Sequence, residues 1–238
     1  MKAVLFLCAV FCSTVALAGP PPAKREGIEN SKYQWNAQKG EKTEALKLKG
    51  DITRGEEAYE ICSACHLATG AGRPDGTFPQ LAGQHTTVLI KQMADIRAGM
   101  RDNPTMYPFA VSLTDPQELA DVSAFIEHLC IPSTHGKYEG TDAAAQVATG
   151  QKLYEQQCLK CHGKNGEGDK KLFYPVIAGQ HYQYLLRQMT EIRDGRRRNA
   201  NPDMVKVIKP YTDAQLVAIS AYQASLSMPG AMCGTKKK

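Results

Sequence analysis

Two short segments of the chain, Cys62–His66 and Cys158–His162, each hold two cysteines three positions apart and a histidine directly after the second cysteine. On a helix, cysteines at this spacing lie about one turn apart. The pattern is typical of covalent c-type haem attachment, in which the thiols bond the vinyl groups and the histidine ligates iron. Zinc sites and redox dithiols share the C-x-x-C pair, but two copies followed by histidine favour haem. We therefore predict two covalently bound haem c groups, with these attachment cysteines and iron ligands: Cys62, Cys65 and His66; Cys158, Cys161 and His162.

From about residue 51 onward the chain repeats itself at an offset of 95 to 98 residues. The segment Pro79–His85 matches Pro175–His181, and Asn103–Met106 matches Asn201–Met204. Self-similarity at this period indicates a duplicated domain. The boundaries that we predict are a first domain at 51–135, a linker at 136–148, and a second domain with a basic tail at 149–238.

The repeated part of the chain carries helical patterns and a negligible strand signal. Leu89, Met93 and Ile96 are spaced for one face of a helix, and the second copy has the same spacing. Thr114 and Thr212 are each followed three residues later by a glutamine, which predicts a cap at the start of each copy's last helix. The predicted fold class is all-α, with two similar haem domains in tandem.

The first 18 residues have the features of a secretory signal peptide. Lys2 supplies a positive charge, Val4–Phe11 is apolar, and Ala16-Leu17-Ala18 forms a small-x-small cleavage pattern. The apolar run is short for a membrane span. Since c-type haem is attached outside the cytoplasm in bacteria, we expect export to the periplasm.

Residues 19–50 form a basic extension without cysteine or histidine, and they hold seven basic and four acidic side chains. We expect this segment to be solvated and partly disordered. The alternative is a basic arm that contacts a membrane surface or a partner, with Trp35 as an anchor.

The charge of the chain is unevenly distributed. Its formal net charge of +5 is too small to indicate a nucleic-acid partner. Residues 51–135 hold five basic and eleven acidic side chains, a net charge of −6, whereas residues 136–238 hold sixteen and nine, a net charge of +7. Such asymmetry would orient the molecule on charged redox partners.

Methionines are the candidates for the second axial ligand of each iron. Met106 and Met204 follow matching Asn-Pro pairs, in what we expect to be a loop against the far haem face. Met93 and Met189 also repeat, but they fall on an apolar helical stripe, where methionine usually fills a core. We therefore predict that Met106 and Met204 complete the two iron sites.

Histidine is the alternative to methionine at the second axial position, because His85 and His181 repeat as well. They directly follow the proline loops, which we expect on the other side of the haem. We expect them to cap the next helix or to bond near the haem edge. Arg97 and Arg193 repeat too and are candidates for contacts with the haem propionates, since a guanidinium suits a carboxylate.

The chain resembles the dihaem cytochromes c of the cytochrome c4 type, which join two class I cytochrome c domains. The resemblance covers about residues 51–227 and rests on both C-x-x-C-H motifs and on the Pro-x-x-Ala-Gly-Gln loops. It implies that the carbonyls of Pro79 and Pro175 accept a hydrogen bond from each ligating histidine, which improves the histidine as a donor. The basic extension departs from the family's minimal pattern.

Two irons with both axial positions filled leave no place for a substrate, which favours an electron carrier over an enzyme. We expect redox proteins as partners, such as a membrane terminal oxidase or a periplasmic dehydrogenase. One alternative is the cytochrome subunit of a periplasmic complex that oxidises a sulfur compound or an alcohol. Another, a dihaem peroxidase, needs one open iron. Cys8 and Cys12 lie within the predicted signal peptide and would leave with it. Cys130 and Cys233 then remain after the haem cysteines are assigned, and we predict a disulfide between them.

Overall fold

A computed structural model describes residues 34–113 and 115–234 of the chain. Within these two ranges the regular structure is helical, with only two isolated β-bridges, which confirms the all-α prediction. The helices are α1 Glu41–Ala45, α2 Ile52–His66, α3 Thr86–Arg97, α4 Tyr107–Ser112, α5 Pro116–His128, α6 Ala143–Gln157, α7 Leu159–His162, α8 Tyr182–Arg193, α9 Pro202–Ile208 and α10 Asp213–Gln223.

The same order of helices occurs twice. Helices α2 to α5 make the first domain, and α6 to α10 follow the same plan in the second, with α6 and α7 in the place of α2. The break falls at Cys158, the first cysteine of the second motif. Helix α6 begins at Ala143, inside the segment 136–148 that was predicted to be a linker. Two similar helical domains in tandem are confirmed.

In each domain the first long helix crosses the last one at very short range, and a glycine permits the contact. An added methyl group at Gly55 in α2 would lie 2.1 Å from the carbonyl oxygen of Asp121 in α5. At Gly150 in α6 it would lie 1.9 Å from the carbonyl oxygen of Ala218 in α10. Only hydrogen fits at these positions, so the glycines fix how the helices cross.

The caps of the last helices agree with the sequence prediction in one copy only. Thr212 and Gln215 form the expected reciprocal capping box at α10. Helix α5 is capped by Asp115, whose carboxylate accepts from the main-chain N–H groups of Gln117 and Glu118. The predicted cap, Thr114, lies outside the described residues.

The described part of the N-terminal extension packs on the first domain, so the expectation of a solvated segment is wrong for these residues. Ala45 in α1 is fully buried in the first core, and Lys42 is 7% exposed. The Lys42 ammonium donates to Asn36 Oδ1 at 2.5 Å and to the Ala37 carbonyl at 2.6 Å. The predicted signal peptide (1–18) and residues 19–33 lie outside the described residues.

Trp35 contacts both domains. Its ring meets that of Phe173 in the second domain edge-on, with 6.2 Å between the centroids. The Lys91 ammonium of the first domain lies 5.2 Å from the Trp35 centroid, a cation–π distance. The position of Trp35 is therefore explained by contacts inside the molecule.

A disulfide joins Cys130, just after α5, to Cys233 near the end of the described chain, which confirms the predicted pair. Next to it, the Ile131 N–H donates to the Ala231 carbonyl, and the Cys233 N–H donates to the Ile131 carbonyl, both at 2.9 Å. Ile131 is fully buried in the second domain's core. The end of the first domain is therefore tied covalently and by packing to the second.

Helices long and apolar enough to cross a membrane are absent from residues 34–113 and 115–234.

Candidate haem-binding sites

A narrow cleft in the first domain gathers the residues that the sequence singled out. Three of them, Cys62, Cys65 and His66, come from the end of α2, and Met106 comes from the turn before α4. Apolar side chains complete the walls. The cleft is lined by Ile61, Cys62, Cys65, His66, Phe78, Thr105, Met106 and Phe109.

The His66 ring is buried at 3% exposure and is oriented by the loop opposite it. Its Nδ1 lies 2.9 Å from the carbonyl oxygen of Pro79. Because a carbonyl only accepts, the proton is on Nδ1, which makes Nε2 the nitrogen able to ligate a metal. Burial lowers the pKa of His66, and the Pro79 carbonyl opposes this shift. The ring is thus neutral near pH 7, the form in which histidine ligates metals.

Tight turns after His66 bring the proline loop to the ring. The Gly72 N–H donates to the His66 carbonyl at 3.0 Å, and the Tyr59 hydroxyl donates to the Leu67 carbonyl at 2.9 Å. Gly72 has a φ of 66°, and a methyl group there would lie 2.3 Å from the Phe78 carbonyl oxygen. Both the positive φ and the close approach require glycine.

None of the four motif cysteines forms a disulfide, in contrast to Cys130 and Cys233. Burial raises the pKa of the Cys62 thiol to about 11, and likewise that of the Cys158 thiol to about 11. No disulfide therefore competes with the use of the motif cysteines in thioether bonds to haem.

Met106 is held at the start of α4. Its main-chain N–H donates to the side-chain oxygen of Asn103 at 3.2 Å. This bond explains why an asparagine precedes the methionine, since it fixes the turn that carries Met106 into the cleft. Thiols and a histidine from one element, a methionine from another and apolar walls between them fit a covalent haem with two axial ligands.

The second domain repeats this local structure. The Tyr154 hydroxyl donates to the Gly163 carbonyl at 2.7 Å, and the Gly168 N–H donates to the His162 carbonyl at 3.0 Å. Burial lowers the pKa of His162, and the nearby Pro175 carbonyl opposes this shift. The buried Nδ1 of His162 faces the Pro175 carbonyl, but among the described residues it does not reach the hydrogen-bond geometry that His66 has with Pro79.

Met204 lies on a helix, whereas a loop was expected. Asn201 accepts from the Asp203 N–H at 2.8 Å, and Pro202 occupies the first turn, so the Asn-Pro pair starts α9 and Met204 belongs to it. Met204 packs against the second core, which also contains Cys158.

The core methionines lie where the helical pattern placed them. Met189 on α8 is 5% exposed in the second core, and Met93 on α3 packs against the first.

His85 and His181 precede α3 and α8, but neither side chain caps its helix. Each ring instead reaches the other domain, and both contacts measure 2.8 Å from Nε2 to a carbonyl oxygen. His85 bonds Glu167, and His181 bonds Ala71. Their repetition is explained by the domain interface, so the expected capping role is wrong.

Arg97 and Arg193 are engaged with their own domains. Arg97 pairs with Glu41 at 2.8 Å and donates to the Leu113 carbonyl. Arg193 pairs with Asp213 at 2.6 Å and donates to the Tyr211 carbonyl. The two carbonyls occupy matching positions, so this contact is one reason for the repeat, and a propionate contact stays a prediction.

Some site residues were not foreseen from the sequence. The walls of the first cleft include Ile61, Phe78 and Phe109. The one available signal was that Phe78 and Tyr174 occupy matching places. Their rings lie 6.1 Å from His66 and 6.5 Å from His162, respectively.

Comparison with known proteins agrees with this geometry. The Cytochrome c family model matches residues 52–129 and 147–227. Cytochrome c4 of Azotobacter vinelandii is 31% identical over 186 residues, covering 73% of this chain and 88% of the relative. The thiosulfate dehydrogenase electron acceptor of Stutzerimonas stutzeri strain A1501 is 32% identical over 196 residues, covering 76% and 90%. The crystal structure of reduced recombinant cytochrome c4 from Pseudomonas stutzeri gives a TM-score of 0.65 at 28% identity, covering 75% of this chain and all of that one.

One cytochrome c match falls in each domain, and the cytochrome c4 relative aligns over most of its length. The chain accordingly binds two covalent haem c groups and carries electrons. It belongs to the cytochrome c family, as a dihaem protein of the cytochrome c4 type.

Proposed function

We propose that the chain carries single electrons between redox proteins of the periplasm, through two haems that are each ligated by one histidine and one methionine. The observation that carries this proposal is the first cleft, where Cys62, Cys65, His66 and Met106 converge. Haem supplies a one-electron iron couple when it is bound. Methionine as the second protein ligand would raise the reduction potential and would occupy the coordination position that histidine leaves.

In the second domain we propose His162 and Met204 as the ligands. The support is the shared local structure: the same tyrosine and glycine bonds hold His162, and Met204 packs on the core that contains Cys158. Filled axial positions on both irons leave no site for peroxide, which is the reason to prefer a carrier over a peroxidase.

The ligand assignment predicts what single methionine substitutions do to the near-infrared methionine–iron charge-transfer band of the oxidised protein. Met106→Ala and Met204→Ala should each remove about half of the band, since each haem would lose its own sulfur ligand. Near-infrared absorption at a fixed haem concentration measures this. The matched control is Met93→Leu, because Met93 belongs to the packing of α3, and the band should keep its full intensity. A band lost in Met93→Leu and kept in Met106→Ala would contradict the assignment.

Export to the periplasm is proposed from the signal-peptide features of residues 1–18 and from the chemistry of haem attachment. N-terminal sequencing of the mature protein tests this. A start at Gly19 is expected, and a retained Met1 would contradict the proposal.

A second candidate function is that of electron acceptor for a dehydrogenase that oxidises a sulfur compound. The relative from Stutzerimonas stutzeri, named a thiosulfate dehydrogenase electron acceptor, favours it. The opposite net charges of residues 51–135 and 136–238 also support it, because such asymmetry orients a molecule on charged partners.

Stopped-flow mixing with thiosulfate dehydrogenase and thiosulfate tests this second function. The haems should be reduced, and the bimolecular rate should fall at least about tenfold between low and high salt, since salt screens charges that steer encounter. Reduction by the dehydrogenase that is slow at every salt concentration would exclude the acceptor role and leave the general carrier role standing.

A further inference from the structure

The domain interface contains two glutamines whose side-chain amides each form two hydrogen bonds with the main chain of one residue in the other domain. The amide nitrogen donates one bond, and the amide oxygen accepts the other. Gln180 Nε2 donates to the Gln80 carbonyl at 2.9 Å, and the Gln80 N–H donates to Gln180 Oε1 at 3.0 Å. Gln84 makes the matching pair with Val176, with 2.9 Å in both directions. These glutamines are the last residues of the Pro-x-x-Ala-Gly-Gln loops.

Gln180 is hydrogen-bonded to the peptide unit between Pro79 and Gln80, which is also the unit that orients His66. Its carbonyl belongs to Pro79 and lies 2.9 Å from His66 Nδ1, whereas its N–H belongs to Gln80 and donates to Gln180. Two hydrogen bonds and one peptide unit therefore connect the histidine of the first domain to a side chain of the second.

This connection is buried, and the amide of Gln180 is held in place. Gln80 and Gln180 are each 6% exposed. Gln180 Oε1 also accepts from the His181 N–H at 3.0 Å, which fixes the amide. Hydrogen bonds are electrostatically stronger in such surroundings than in water, and bonds in series polarise one another.

The donor-to-acceptor direction of these hydrogen bonds determines how they change the reduction potential. A peptide N–H that donates to a good acceptor shifts electron density toward its own carbonyl, because the amide is conjugated. The Pro79 oxygen then attracts the His66 proton more strongly, and the imidazole becomes a more basic ligand. A more basic ligand stabilises the oxidised iron, which lowers the reduction potential.

We propose that Gln180 of the second domain is a positioning residue that lowers the reduction potential of the haem in the first domain. This inference rests on the proposed function, in which His66 ligates that iron. The matching unit at Pro175 is bound by Gln84, and its carbonyl faces His162, but His162 Nδ1 does not reach the hydrogen-bond geometry that His66 Nδ1 has with Pro79. The connection is therefore stronger toward the first haem than toward the second.

The test is Gln180→Met in the full holoprotein, which keeps the side-chain length and removes the three hydrogen bonds of the side-chain amide, two to Gln80 and one to the His181 N–H. The first-domain haem should become easier to reduce, by roughly threefold in its reduction equilibrium, since polarisation along one further bond is a partial effect. That ratio corresponds to ~28 mV for a one-electron couple. The reduction potential of the second-domain haem should stay the same. Gln84→Met should change the potential of either haem by less than Gln180→Met changes that of the first haem.

The control is Thr87→Val, which deletes another bond across the same interface without touching the connection. The Thr87 hydroxyl donates to the Lys170 carbonyl at 2.6 Å. Neither haem should shift in this variant. If Gln180→Met only loosened the interface, the reduction potentials of both haems would change, and they would change in Thr87→Val as well. That outcome would overturn the proposal.

Potentials are read from a redox titration followed by proton NMR, with each haem assigned by the axial methionine signal that Met106→Ala or Met204→Ala removes. The His66 Nδ1–H resonance of the reduced protein should move in Gln180→Met and stay in Thr87→Val. If Gln180→Met does not fold, Gln180→Glu keeps an acceptor for the Gln80 N–H, and the first haem should then not become easier to reduce. An unchanged first haem in Gln180→Met overturns this inference alone, whereas absence of any axial methionine signal overturns the proposed function.

Discussion

Replacing Cys130 and Cys233 together by serine should lower the free energy of unfolding by about 4–5 kcal/mol. The bond joins residues 103 positions apart, so it restricts almost the whole second domain in the unfolded chain. The chain-entropy estimate for a loop of about 100 residues is ~4.7 kcal/mol. Urea unfolding of the holoprotein, followed by far-ultraviolet circular dichroism, measures the change.

A reductant provides the control for the disulfide prediction. It should destabilise the unmodified protein by a similar amount and leave the double serine variant unchanged. Thiol labelling of the oxidised, denatured apoprotein, which would find Cys130 and Cys233 reactive if they were unpaired, gives an independent check. In the mature protein, which lacks Cys8 and Cys12, two labelled thiols beyond the four motif cysteines would contradict the bond.

Gly150→Ala should lower the free energy of unfolding of the second domain by about 2–3 kcal/mol. The added methyl group would lie 1.9 Å from the Ala218 carbonyl oxygen, and main chain in a packed helix gives way less easily than a side chain. Overpacking costs about 1–3 kcal/mol, and the higher helix preference of alanine offsets up to about 1 kcal/mol. We expect the free-energy cost of this clash to be at or slightly above the top of the usual range for overpacking, because the contact is so short.

The matched control for Gly150→Ala is Thr149→Ala, the exposed neighbour on the same helix. It should change stability by no more than about 0.5 kcal/mol. Gly55→Ala should act on the first domain as Gly150→Ala acts on the second, because the Asp121 carbonyl oxygen would be only 2.1 Å away. A Gly150→Ala protein as stable as the Thr149→Ala protein would show that α6 and α10 do not cross so closely.

The features that the sequence predicted correctly are those encoded at short range or by repetition. The C-x-x-C-H motifs need only the spacing of one helix, and the duplication is visible by comparing the chain with itself. The role of Pro79 followed from the family resemblance, and its carbonyl does lie against His66. The prediction of Thr114 as the cap of α5 was wrong, since Asp115 caps that helix; both residue types cap helices and the two are adjacent.

The features that sequence reasoning missed depend on distant partners. Gln180 is hydrogen-bonded to Gln80, which is 100 residues away in the sequence. No local sequence pattern shows which side chain will contact the main chain of the other domain. Trp35 was interpreted through the charges around it, whereas its position is set by Phe173 of the second domain. Arg97 illustrates a different limit: a repeated arginine has two explanations, a propionate or a carbonyl, and spacing does not distinguish them.

The proposed electron transfer depends on two haems, each ligated by one histidine and one methionine. Haem quantitation combined with the visible and near-infrared spectrum of the oxidised protein is the decisive measurement. We expect two covalent haems per chain and a methionine–iron charge-transfer band of the intensity expected for two such sites. A single haem, or two haems with a bis-histidine spectrum and no such band, would contradict it.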